Sequence, residues 1–246
     1  MKYLTFYILL STYLIIGCSS SKFLKSKPIG LINNVSYHNP KFNNNNASNG
    51  FLISYLNNTY AITAKHILMI AKTNKMKFID FENELKEWKM HPKNDSTRYV
   101  ILNKLLNQNR SDSLTWNYIN TKWDTYNDWL IFSIKENKSN HTPLKFRNKP
   151  LKTNELLYAV GWSYKDSIGE QRLYKYKFKK TENNYHSLVE VSGPESLGGL
   201  SGAPVVDIDG KVVGLVSSGW KDEITKETWL QITRIKNIKV FLDKQN

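Results

Sequence analysis

The sequence predicts an all-β protein, and three observations carry that prediction. Short apolar runs of β-type residues recur along the chain with polar, asparagine- and glycine-bearing turns between them. Residues 205–216 form two such runs around Asp209-Gly210, among the strongest short-range hairpin signals. Only residues 234–244 space their apolar side chains, Ile235, Ile238, Val240, Phe241 and Leu242, as an amphipathic helix does, and they do so near the C-terminus. Many short, regularly punctuated strands with little helix argue for barrels or a sandwich.

The elements follow in order. Residues 29–37 are β-prone and form a first strand, followed by a polar turn over residues 39–49. Residues 51–56 and 60–63 flank Asn57-Asn58 and read as a hairpin with a two-residue turn. Residues 71–120 are charged and aromatic, with Trp88 and Trp116, and read as further strands joined by long loops. Asp128 opens the apolar run 129–134, a buried strand by composition. Residues 138–150 are polar, contain Pro143 and Pro150, and mark a linker between a first unit at 28–137 and a second at 151–246. The second unit brings strands at 155–162, at 171–179 with alternating Tyr174, Tyr176 and Phe178, and at 187–191. The hairpin around Gly210 and a last strand at 229–233 complete it.

The first residues read as an address. Lys2 precedes an apolar run over residues 3–16, shorter than the roughly 20 residues of a membrane-spanning helix, and Ile15-Ile16-Gly17-Cys18 follows. This is the layout of a secretory signal over residues 1–17. Its end resembles a bacterial lipobox, which implies cleavage before Cys18, lipid on its sulfur, and an exported protein held to a membrane, facing the periplasm or the cell exterior. Residues 18–27 then serve as a polar, basic tether. Cys18 is the only cysteine, so the roughly 229 residues beyond the signal form no internal disulfide and fold on their core alone. The formal net charge is +14. The lysines are scattered among asparagines rather than gathered in a stripe, which together with export argues against nucleic acid as a partner.

Three residues invite chemistry, and each has a plain alternative. His66 follows the first hairpin and is either a general base or an ordinary histidine opening a short helix. Asp128 either orients a histidine or makes a strand-entry turn bond. Ser201 sits in Gly198-Gly199-Leu200-Ser201-Gly202-Ala203-Pro204. That loop is either a glycine-rich turn or a backbone-built oxyanion pocket in which the Gly199 and Ser201 amides converge. Neither a His-Glu-x-x-His sequence nor any other metal-ligand cluster is present, so no metal or cofactor is expected.

Taken together, Ile62-Thr63-Ala64-Lys65-His66, Asp128-Trp129-Leu130-Ile131, the loop around Ser201 and Gly214-Leu215-Val216-Ser217 resemble a trypsin-like serine peptidase of the chymotrypsin fold, in which His, Asp and Ser come in this order. The resemblance implies two antiparallel six-stranded β-barrels with a short C-terminal helix. It implies His66, Asp128 and Ser201 as a catalytic triad, and Gly199 and Ser201 as oxyanion donors. It also implies Glu195, Ser217, Ser218 and Gly219 as the surroundings of the substrate residue before the cut. Glu195 at the base of that pocket would favour Lys or Arg; the alternative is Glu195 facing solvent. Hydrolysis of protein or peptide substrates is the implied activity. The rival is a non-catalytic lipoprotein of the same fold that binds peptides or cell-surface polymers.

Departures from the family pattern are informative. His66 and Asp128 are far apart for a bacterial relative, which implies inserted strands or loops. Leu200 stands where animal trypsins carry the aspartate that pairs with a newly cut N-terminus, so activation by that route is not expected. Lys65 replaces the usual small residue and is expected to be solvated. Only the short helix follows the second barrel, which leaves no room for the peptide-binding domain of the high-temperature-requirement peptidases.

Overall fold

The computed structural model of the chain describes residue 24 and residues 27–81, 83–114, 127–182 and 185–245. Strands β1 (Leu31–Tyr37), β2 (Asn49–Tyr55), β3 (Asn58–Thr63), β4 (Phe78–Ile79), β5 (Leu85–His91), β6 (Val100–Leu105), β7 (Asn109–Ser113) and β8 (Leu130–Asn137) make up the first half. Strands β9 (Leu156–Gly161), β10 (Arg172–Glu182), β11 (Tyr185–Ser192), β12 (Pro204–Val206), β13 (Val212–Lys221) and β14 (Thr228–Arg234) make up the second, and helix α1 (Ile235–Asp243) follows. Two closed antiparallel barrels result, in the orders β1-β2-β3-β8-β6-β5 and β10-β11-β14-β13-β12-β9. The all-β, two-barrel architecture with a short C-terminal helix is therefore the one the sequence predicts. The inserted strands implied by the His66–Asp128 spacing are β4 and β7, which pair as a separate ribbon outside the barrel. Cys18, Trp116 and the signal segment lie outside the described residues.

Side-chain alternation explains the strands. In β10, Tyr174, Tyr176 and Phe178 are buried while Lys175 and Lys177 between them are exposed, the period of two of a half-buried strand. In β8, Leu130, Ile131 and Phe132 are all buried, because this strand enters the barrel with both faces covered. Two hairpins differ in register from expectation. Tyr55 pairs with Asn58, so the β2–β3 turn is Leu56-Asn57, with Leu56 at φ 45°, and not Asn57-Asn58. The β12–β13 connection is five residues, since Val206 pairs with Val212. Buried Asp207 organises that loop by accepting from the Asp209 and Lys211 amides at 3.0 and 2.9 Å.

One apolar cluster fills the first barrel and continues under α1 through Ile235, Ile238 and Leu242; a second fills the other barrel around Tyr176, Leu188, Leu200, Val205 and Leu230. Residues 138–150 join both barrels, with Leu144 bridged to Ile53 and Phe146 to Val212. A second joint is polar. Buried Gln171 accepts from the Ile29 and Gly30 amides at 2.9 and 2.7 Å and donates to the Lys27 carbonyl at 2.5 Å. Gln171→Ala orphans two buried amides and is expected to destabilise the fold by about 2–4 kcal/mol in urea denaturation. A loss below about 1 kcal/mol would show that this joint is dispensable.

Candidate active site

Strand pairing brings the first two candidate residues together. Thr63, at the end of β3, pairs with Leu130, at the start of β8. His66 lies in a 3-10 turn (Lys65–Met69) just after β3, and Asp128 lies just before β8, so the antiparallel register sets them side by side at the barrel rim. Ser201 comes from the other barrel, on the loop that leads into β12.

The three side chains form one hydrogen-bonded line. Asp128 Oδ2 is 2.7 Å from His66 Nδ1, and His66 Nε2 is 2.7 Å from Ser201 Oγ. The other Asp128 oxygen, Oδ1, accepts from the His66 backbone amide at 2.8 Å, and Ser217 Oγ donates to Oδ2. Asp128 is almost wholly buried, whereas the His66 side chain keeps 30% of its surface exposed. Burial pushes the Asp128 carboxyl up, but the His66 charge and the hydrogen bonds from His66 and Ser217 outweigh it and hold the group below its usual range. Burial likewise pushes the His66 imidazole down, and the Asp128 charge and hydrogen bond more than offset this, leaving it above its ordinary value. A histidine so placed has its Nδ1 proton fixed by the carboxylate and its Nε2 lone pair aimed at a hydroxyl, the arrangement that makes serine nucleophilic.

The loop around Ser201 is held from both sides. Gly199 adopts φ 89°, and a Cβ there would stand 2.6 Å from the Tyr164 ring, so neither the conformation nor the space admits a side chain. The Gly198 carbonyl accepts from the Tyr164 amide at 2.8 Å. Because a trans peptide points its N–H opposite to its C=O, this bond turns the Gly199 N–H away from Tyr164. From the first barrel, buried Asn49 donates through Nδ2 to the carbonyls of Gly199 (2.6 Å) and Trp162 (2.8 Å), accepts from the Trp162 amide at 3.0 Å, and donates its own amide to the Ser201 carbonyl at 2.9 Å. Ser48 Oγ lies 2.8 Å from the Gly199 carbonyl and 2.9 Å from that of Ser201. Asn33 and Thr63 in turn hold the Asn49 carbonyl, at 2.8 and 2.6 Å. Every amide proton of the Asn49 side chain is used, as a buried polar group requires.

The trypsin-like peptidase domain model matches residues 48–215. The chain belongs to this family. Among solved structures, the active form of the Rv3671c protease from M. tuberculosis is similar over 89% of this chain and 81% of its own, with a TM-score of 0.56 at 13% identity. The serine endoprotease from Yersinia pestis gives 0.57 at 14% identity, over 89% of this chain and 63% of that one. The inactive form of the Rv3671c protease gives 0.51 at 13% identity, with 87% of each chain covered. Identities this low make these likenesses of fold. No curated protein matches the chain.

Within this trypsin-like domain, the structure brings His66, Asp128 and Ser201 together with Gly199 and Ser217. Ser218 and Gly219 continue β13 as an exposed edge. Glu195 is also exposed, in keeping with the solvent-facing alternative, and so it forms no buried counter-charge for Lys or Arg. Lys65 is a correction. Instead of being solvated it is buried, with 4% of its surface exposed, and it lines a cavity of about 430 Å³ with Leu106, Asn107, Trp129 and Phe241. Leu200 is fully buried in the second core, an apolar use of the position that carries a charged residue in animal trypsins. Sequence reasoning missed Ser48 and Asn49, which end a run of asparagines and carry no distinguishing pattern, and it missed the Ser217–Asp128 bond.

Proposed function

We propose that this chain is a lipid-anchored serine endopeptidase that hydrolyses peptide bonds through His66, Asp128 and Ser201. The observation that carries the reading is the continuous line of hydrogen bonds from Asp128 through His66 to Ser201, assembled from two barrels. His66 takes the Ser201 proton as Oγ attacks the scissile carbonyl, then returns it to the leaving amine. Asp128 keeps the imidazole in the tautomer with hydrogen on Nδ1 and stabilises the imidazolium. The amides of Gly199 and Ser201 receive the oxyanion, a contribution of about 3–4 kcal/mol per donor. The anchor on Cys18 sets this chemistry at a membrane surface, facing the periplasm or the exterior. Its substrates are proteins or peptides within reach of the tether.

A fluorophosphonate probe applied to fractionated cells tests both parts. The expected result is labelling of the native protein in the membrane fraction, loss of labelling in Ser201→Ala, and uptake of a radiolabelled fatty acid by native protein that is lost in Cys18→Ser. Folded protein that takes no label would instead favour a non-catalytic binder of peptides or surface polymers. Native protein that takes up no fatty acid would remove the anchor.

A further inference from the structure

We propose that this site cleaves after residues with small side chains, and that Leu197 and Leu230 set the limit. The inference rests on the proposed peptidase reading and names its substrate class. Strand β13 is paired with β12 only through Leu215, and Val216 is taken up by Gly202 and Ala203 of the nucleophile loop. From Ser217 onward no described residue pairs with the edge on that side, beside Ser201, and an extended peptide adds to it as a further strand. The residue whose carbonyl faces the Gly199 and Ser201 amides then lies between two limbs of chain, residues 197–199 and 217–219. Its side chain enters the gap between them.

That gap is already filled to a shallow depth. A Cβ added to Gly219 would stand 2.6 Å from Leu197 Cδ1, 2.8 Å from the Trp229 carbonyl and 3.3 Å from Leu230 Cδ1. The Leu197 backbone is fixed there by the Leu200 amide, which donates to its carbonyl at 3.0 Å, and Leu230 is 1% exposed in the second core. The floor is two leucine side chains and one backbone carbonyl, without a charge. Glu195 is exposed outside it, and Glu190 closes instead against Gly193, where an added Cβ would meet its carboxylate at 2.3 Å. A lysine or arginine entering the gap would lose water without gaining a counter-charge, and a leucine or phenylalanine would have to displace Leu197.

Cleavage of a peptide library varied at the residue before the cut, with native protein, Leu197→Ala and Leu230→Ala, tests this. Native protein is expected to cleave after alanine, serine or threonine about ten- to a hundredfold faster than after leucine, phenylalanine, lysine or arginine. Leu197→Ala is expected to raise the relative rate after leucine and phenylalanine by at least about tenfold. Leu197→Val, which shortens the side chain by one carbon, gives a smaller shift in the same direction and serves if the alanine variant does not fold. Native cleavage after lysine, arginine or phenylalanine at the alanine rate overturns the inference, as does an unaltered profile in both Leu197 variants. Fluorophosphonate labelling of Ser201 separates this from the parent reading. Labelled protein with the wrong profile sinks only the specificity, whereas folded protein that neither labels nor cleaves sinks both.

Discussion

Asp128→Asn is expected to lower kcat by about 10,000-fold and to move the acid limb of the pH profile to lower pH. Among the described residues, every hydrogen-bond partner of the Asp128 carboxylate is a donor: the His66 amide on Oδ1, and His66 Nδ1 and Ser217 Oγ on Oδ2. An asparagine must turn its NH2 toward one of these positions. The backbone amide cannot change its role, so the carboxamide oxygen stays there and the NH2 confronts Nδ1. The imidazole answers by carrying its proton on Nε2, where it no longer accepts from Ser201. The pH dependence follows from sign. His66 is held above its ordinary value by Asp128, so in the native enzyme the neutral base is populated only above a pH higher than about 6.5. Removing the carboxylate leaves burial alone, which pushes the imidazole down. Rates of kcat/KM from pH 4 to 9 for both proteins check this. A limb that stays in place would show that Asp128 does not control the charge of His66.

The second large effect is on folding. Gly202→Ala is expected to destabilise the protein by about 3–5 kcal/mol, from left-handed strain of about 1–2 kcal/mol together with overpacking. Gly202 sits at φ 76°, and a Cβ there would meet the Asn49 carbonyl at 2.2 Å, Thr63 Oγ1 at 2.7 Å and the Ala64 amide at 3.0 Å. These atoms belong to the first barrel and are backbone or fixed by hydrogen bonds, so none can retreat. The barrels must therefore separate at the one place where His66 and Ser201 meet. Thermal unfolding combined with Ser201 labelling reads both losses. A variant with native Tm and native labelling would mean that the joint is looser than its contacts indicate.

The parts of this molecule legible in the sequence are those governed by local pattern. Alternation gave β10 its inward Tyr174, Tyr176 and Phe178, and apolar runs gave β8 and β13. His66, Asp128 and Ser201 could be singled out because each stands beside such a run. Where tertiary contacts decide, the sequence was silent. The β2–β3 turn fell one residue from its expected place because Asn58 pairs across to Tyr55, which put Leu56 rather than an asparagine at positive φ. Asn49 has the chemistry of its neighbours in an asparagine-rich segment, and only the approach of residues 162 and 199 gives it a role. Lys65 looked solvated because its sequence neighbours give no sign of burial; the cavity it lines is shared with residues 106–109 and Phe241, distant in the chain.

Helix α1 has a consequence for the order in which the molecule is made. It follows the last strand of the second barrel, yet its Ile238 and Leu242 complete the core of the first, and Phe241 packs edge-on at 5.2 Å against Trp129, the neighbour of Asp128. A chain emerging from its N-terminus therefore displays all the strands of the first barrel long before the last side chains of its core. The ring of Trp129, next to Asp128 in the chain, gains its edge-on partner only when residues 235–243 arrive. A chain stalled before this helix carries His66, Asp128 and Ser201 but lacks Ile235, Ile238 and Leu242 of the core beneath them.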